Sequence, residues 1–350
     1  MKKTDKSFAF ALGGLAGNNA HGAGFLQAAM DLNLEPDLIS CTSGQIYWVH
    51  KYLKERESRK DLRSILVADI DESTPFKNNS LDLMAMAIFG KGGVFKPAYF
   101  ECLSDYTENL KKFFLKSMKT PSNINPLPEA MALIPAKELN PEFPVDFFKS
   151  IGSAFNNSET GIVFNTYEPV TGTETVYLND AAAEKMRVRF GDKNKYRLRT
   201  RYEKISADAV KKGLWIYQYG FEADTREIDG AYYRQILLSE LVHSDIIFVA
   251  RPINHRWLGT LPTNKTALED LKTEITFNGT YAGERDKIQL INKLVSDEAL
   301  KESKYKHIEL SEIEISTQEG FFDYIFEDLK MFDLSRLQSK TAIEKAIASK

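Results

Sequence analysis

Only two cysteines, Cys41 and Cys102, occur in 350 residues. That is too few for a disulfide scaffold, and they lack the paired spacing of a zinc site, so a reduced, cytoplasmic setting is the simplest expectation. Basic charge is not in excess either. Lys and Arg number 46 against 49 Asp and Glu, a net charge of −3, which argues against a chain that grips nucleic acid through its phosphates. No stretch reaches the ~20 apolar residues that a membrane-spanning helix needs. Low-complexity tracts and internal repeats are missing as well. The N-terminus imitates a secretion signal, with Lys2, Lys3 and Lys6 ahead of Phe8-Ala9-Phe10-Ala11-Leu12. Its apolar run is short and meets paired glycines, Asp5 sits among the lysines, and cleavage would remove the first strand. No signal peptide is therefore expected.

What is present, 43% hydrophobic and 27% charged residues, can bury a large core. The most informative stretch lies near the start. Strand 7–12 runs into Gly13-Gly14-Leu15-Ala16-Gly17, a helix of about 22–33 follows, and strand 36–41 ends at Cys41-Thr42-Ser43-Gly44-Gln45. Ile46, Val49 and Leu53 then recur at helical spacing in a helix of about 45–57. One crossover helix between two strands makes them parallel. Further on, Gly161–Thr166 and Glu174–Leu178 flank a Thr-Gly-Thr turn and read as a hairpin. A helix near 206–213 precedes Asp229-Gly230-Ala231, and Asp245–Ala250 is a continuous apolar strand of the kind buried on both faces.

Residues 61–157 read as an insertion beside the sheet, with a helix around Tyr106–Lys119 and proline-rich turns from Pro121 to Pro144. Its apolar segment Leu81–Phe95 fits either a lid or lipid-facing patch, or a helix buried against the sheet. The main domain is expected over 1–263, and 264–350 reads as a mostly helical extension with a short strand at 308–315.

The chemistry gathers at Ser43. A serine between an apolar strand and an amphipathic helix sits at a helix N-terminus, where aligned peptide dipoles favour an alkoxide and its tetrahedral adduct. Gly44 follows it and offers an N–H to an oxyanion. Gly13 and Gly14 end the neighbouring strand and add further oxyanion donors. A phosphate-binding loop is the other use of such glycines. The loop has no Gly-x-Gly-x-x-Gly, and Ala23-Gly24 stand where a P-loop needs Lys and Ser/Thr. Asp229 is either the base for Ser43 or the first residue of an ordinary Asp-Gly turn.

The order of these motifs resembles the patatin-like phospholipases, serine lipid acyl hydrolases with a glycine-rich oxyanion loop, a Gly-x-Ser-x-Gly elbow and an Asp-Gly-Gly/Ala motif. Gly24-Phe25-Leu26-Gln27-Ala28 resembles the family's helix after the loop, and Phe164–Tyr177 its Thr-Gly-Glu hairpin. Ala207–Gly230 and Asp245–Arg251 resemble the approach to the aspartate and the strand after it. The resemblance covers roughly 7–57 and 158–255. It implies an α/β, three-layer fold with a mostly parallel central sheet flanked by helices. It also implies a Ser43–Asp229 dyad and an oxyanion hole from Gly13, Gly14 and Gly44. Leu15 and His21 in the glycine loop, with Gln45 after the serine, are expected to line the pocket. The substrate would be a lipid or other acyl ester, met through peripheral membrane contact, with no cofactor or metal.

The chain departs from that pattern at Cys41 and Gln45, which replace both elbow glycines, and at Leu15 and Gly17-Asn18-Asn19 in the loop. Two rival readings follow. One is a Ser-His-Asp hydrolase using His243 or His255, although that fold normally places several strands before its nucleophile. The other is a catalytically silent protein of the same fold that binds a ligand or partner. Cys41 reads as a buried, inert thiol rather than a reactive one.

Overall fold

The structure, a computed structural model, describes residues 6–14, 19–58, 60–73, 84–86, 88–91, 93–119, 129, 131–194, 197, 199–221, 226–251, 255–257, 260–300, 305–315 and 328–348. It is an α/β protein with a mostly parallel central sheet flanked by helices. The chain divides into two compact units, Met1–Ala68 with Phe148–Leu214 and Glu227–Lys350, and Asp69–Phe147 with Trp215–Arg226.

The larger unit begins with β1 (Phe8–Leu12), α1 (Ala20–Asp31), β2 (Leu38–Cys41), α2 (Gln45–Glu55) and the start of α3 (Leu62–Ser73). Every residue of β1 and β2 is buried, and the two pair in parallel from Ala9↔Leu38 to Leu12↔Cys41. Their unbroken apolar runs are what a strand covered on both faces requires. On α2 the residues Ile46, Trp48, Val49 and Tyr52 turn into the core, as their spacing demands.

The smaller unit holds a two-stranded antiparallel ribbon, β3 (Phe95–Pro97) and β4 (Leu139–Pro141), and the long helix α4 (Tyr99–Lys119). That helix starts a full two turns before the Tyr106 expected from the sequence. The unit's own core is small, built on Ala85, Ala98, Trp215 and Tyr219, with Trp215 and Tyr219 edge to face. Of the 81–95 segment, Met84, Ile88 and Phe89 are exposed; residues 81–83, 87 and 92 lie outside the described residues. So do 120–128 and 130 of the proline-rich turns.

The larger unit resumes through α5 (Phe147–Asn156), β5 (Gly161–Glu168), β6 (Thr173–Leu178), α6 (Asp180–Met186), β7 (Thr200–Lys204) and α7 (Ala207–Gly213). After β8 (Ile228–Asp229) come β9 (Ile246–Arg251), α8 (Lys265–Ser296), β10 (Glu309–Glu314) and α9 (Asp328–Ala348). Helix starts carry side-chain caps: Asn179, Ser206 and Asn264 accept from the N–H groups of Ala182, Ala209 and Ala267. The strand order is β10-β9-β1-β2-β5-β6-β7, and β8 pairs with β5 off that path. The β5–β6 hairpin and the β5–β8 pair are antiparallel; the other pairs are parallel.

Helix α9 lies along α1, burying Met331 and Phe332. Ser335 Oγ donates to the His21 carbonyl at 2.5 Å, and Arg336 Nε to Asp31 at 2.8 Å. Among the described residues, no helix is long and apolar enough to cross a membrane.

Candidate active site

Sheet register brings Ser43 and Asp229 together. Strand β2 pairs with β5 through Ser40↔Val163, and carried onward this register sets Ser43 level with Thr166. Thr166 is the residue that Asp229 pairs with on β8. The Ser43 hydroxyl lies near enough to the Asp229 carboxyl to act on its pKa. Asp229 Oδ1 accepts the Ala231 N–H at 2.9 Å, capping the short turn Gly230–Tyr232.

Ser43 has φ 55°, in the left-handed region that costs a side-chain-bearing residue energy. Such strain marks a sharp strand-to-helix turn holding a hydroxyl clear of the sheet. Ser43 is half-buried, whereas Asp229 is 2% exposed. Burial pushes the Asp229 carboxyl up to about 7, against the lowering effect of the nearby Ser43 hydroxyl and of the Ala231 N–H. A carboxylate in that range is a competent base near neutral pH.

The glycine loop is held tightly. Gly13 N–H donates to the Ala250 carbonyl at 3.3 Å. Gly14 N–H donates to Thr42 Oγ1 at 2.7 Å, and Thr42 Oγ1 in turn donates to the Gln235 carbonyl at 2.5 Å. Gln235 Nε2 returns a bond to the Gly14 carbonyl at 2.9 Å. The N–H groups of Gly13 and Gly14, expected as oxyanion donors, are thus engaged within the fold. Gly14 must be glycine for a different reason: a Cβ there would overlap Ser43 Cβ and the Thr42 carbonyl. Gly44 precedes the helical ladder of α2, and among the described residues its N–H has no acceptor. Leu15 lies outside the described residues.

His21 sits in the first turn of α1, not in the loop where the sequence suggested it. It is 2% exposed, and its Nε2 lies 2.9 Å from the Gly13 carbonyl and 3.0 Å from Gln45 Nε2. Burial outweighs the bond to Gly13 and lowers its pKa to about 4, so the ring is neutral. Gln45 is wholly buried at the start of α2, with Nε2 donating to the Asn19 carbonyl at 3.2 Å and Oε1 lacking a partner. These two residues therefore pack beneath the serine turn, and His21 holds the Gly13 carbonyl.

Other residues read from sequence fall elsewhere. His243 precedes β9 at the opposite end of the sheet and is exposed, with desolvation and nearby cations lowering its pKa. His255 is exposed and pairs with Glu314 at 3.0 Å. Cys41 is buried, and burial drives its thiol pKa far up, so it stays protonated. A cleft of about 530 Å3 opens along the second half of α2, between His50, Lys54, Arg56, Ser150, Asn157 and Glu159; neither Ser43 nor Asp229 lines it.

Behind Asp229 lies a charge cluster that the sequence did not reveal. Arg234 bonds Glu240 through both terminal nitrogens at 2.9 Å and Glu174 through Nε at 2.6 Å, and pairs with Glu284 at 3.5 Å. All four are nearly inaccessible. Burial opposes ionisation of Glu240, but the Arg234 guanidinium overrides it and holds the carboxyl below its usual range. Asn165 links this cluster to the Asp229 turn, donating to Glu174 at 2.8 Å and to the Gly230 carbonyl at 3.3 Å.

No protein-family model matches this chain. A search of curated proteins finds no match to it either.

Proposed function

We propose that this chain is a patatin-like serine hydrolase that cleaves acyl esters of a lipid or similar substrate, in the cytoplasm and in peripheral contact with membrane. The observation that carries this reading is the juxtaposition of Ser43, on its strained elbow, and the buried Asp229. Asp229 takes the hydroxyl proton as Ser43 Oγ bonds to the ester carbonyl carbon, and the C=O electron pair moves onto oxygen. The Gly44 N–H faces that developing charge. Collapse of the adduct breaks the ester C–O bond, the alcohol leaves with the proton from Asp229, and water then releases the acid by the same route. These steps call for no cofactor or metal.

A fluorophosphonate probe tests the proposal. Labelling of wild type that is lost in Ser43→Ala supports it. Folded wild type that neither labels nor hydrolyses a short-chain nitrophenyl ester overturns it. A second reading then takes its place, a silent module of the same fold that binds a ligand or partner; it is favoured by the engaged N–H groups of Gly13 and Gly14.

A further inference from the structure

We propose that one face of α4 docks on an anionic lipid surface. No residue of this helix is buried. Phe100, Leu103, Phe114 and Met118 are 88%, 65%, 57% and 81% exposed. Their spacing returns to one side at each helical turn, so they form a single apolar stripe, with Leu115 at its margin. Folding does not need this stripe, because the helix is already fastened through other positions. Cys102 Sγ donates to the Lys137 carbonyl at 2.9 Å, Asn140 Nδ2 to Glu101 at 3.0 Å, and the Ala98 N–H to the Glu138 carbonyl at 2.9 Å. Met84, Ile88, Phe89, Met131 and Ile134 of the same unit are exposed as well.

Charge selects the occupant. From Asn109 to its last residue the helix carries Lys111, Lys112, Lys116 and Lys119 and no acid. Glu101, Asp105 and Glu108 stand two and five positions from Leu103, off the stripe. Lys112 pairs with Glu108 in the open, where such pairs are weak and exchange readily for lipid phosphates, and Lys116 pairs with the half-buried Glu129. Lys111 falls within the stripe itself, in line with Leu103, Thr107, Phe114 and Met118. Lysine is depleted from the cores of protein interfaces, so this row suits a second protein poorly. At a bilayer the stem lies among the acyl chains while the ammonium reaches the headgroups. A helix with an apolar face rimmed by lysines, lying flat in the headgroup region of an anionic leaflet, fits each of these features.

Vesicle co-sedimentation of the full chain tests this, with phosphatidylcholine alone and with phosphatidylcholine containing about one third phosphatidylglycerol. Binding to the anionic vesicles, weakened by salt, is expected. Phe100→Glu with Met118→Glu should lower partitioning at least tenfold. Lys111→Gln should lower it about fivefold on anionic vesicles only. All three positions are exposed, so thermal melting checks that the variants keep the fold. Wild type that stays in the supernatant, equal binding to both vesicle types, or a double variant that binds like wild type overturns the proposal. So does a wild-type dimer that Phe100→Glu/Met118→Glu splits without any vesicle binding. Ser43→Ala protein should bind as wild type does, which separates this result from that of the hydrolase test.

Discussion

Gly22 on α1 and Gln45 on α2 share one space: the Gln45 amide fills the volume that any side chain at Gly22 would need. The serine turn lacks its second glycine, and the opposing helix makes the room instead. Gly22→Ala should gain about 1 kcal/mol in helix propensity yet lose more by overlap with a wholly buried glutamine, for a net cost of about 1–2 kcal/mol. Adding Gln45→Gly should recover most of that loss, a non-additive double mutant. Urea titrations measure it; a Gly22→Ala protein as stable as wild type would refute the shared volume.

The acidity of Asp229 sets a pH dependence with a definite sign. Its folded pKa of about 7 exceeds the ~3.9 of an unfolded chain, so the folded protein binds more protons between those values. Stability from this group is full below about 4 and falls, by about 1.4 kcal/mol per unit, as pH rises to about 7. Asp229→Asn removes the slope, so the variant should gain on wild type as pH rises and level off above 7. His21, with its lowered pKa, slopes the other way and cancels in that difference. Wild-type ester turnover should rise through about 7 as the base ionises, while the Asn variant turns over nothing. A flat difference in unfolding free energy between about pH 5 and about pH 8 would contradict this.

Thr42 holds the glycine loop by accepting from Gly14 and donating to Gln235. Thr42→Val keeps the shape but leaves a buried N–H unpaired, at a cost of about 1–3 kcal/mol. Thr42→Ser retains the hydroxyl and should recover most of it. Amide exchange at Gly14 is the direct readout: faster in the Val variant, near wild type in the Ser variant.

Arg234 joins Glu174, Glu240 and Glu284, and Arg197 also pairs with Glu284. Arg234→Met leaves buried carboxylates facing one another and should cost about 3–5 kcal/mol. Arg234→Lys should recover little, because an ammonium cannot make the two-pronged bond to Glu240 and reach Glu174 as well. A Lys variant with wild-type stability would show that the fork geometry is immaterial.

The serine turn and Asp229 are legible in the sequence because each stands where one kind of periodicity gives way to another. Ser43 falls between a run of strand residues and a helical repeat, and Asp229-Gly230 between a helix and a buried strand. Strands β1, β2, β5, β6 and β9 are legible for the same reason, having long apolar or alternating runs. The Arg234 cluster is not, since Glu174, Arg234, Glu240 and Glu284 read as solvent-facing until distant segments close over them. The loop's N–H groups are equally opaque, because their acceptors belong to Thr42 and Ala250. The early start of α1 is also hidden, because Asn19 takes a left-handed conformation with no side-chain cap that the sequence would announce, and so His21 reads as a loop residue.

Helix α9 ties a distant stretch of the chain to the glycine loop. It grips the His21 carbonyl and Asp31, on the very helix whose first turn braces the Gly13 carbonyl. Loosening of α9 would therefore be felt at the Gly13 carbonyl through His21, although the two lie far apart along the chain.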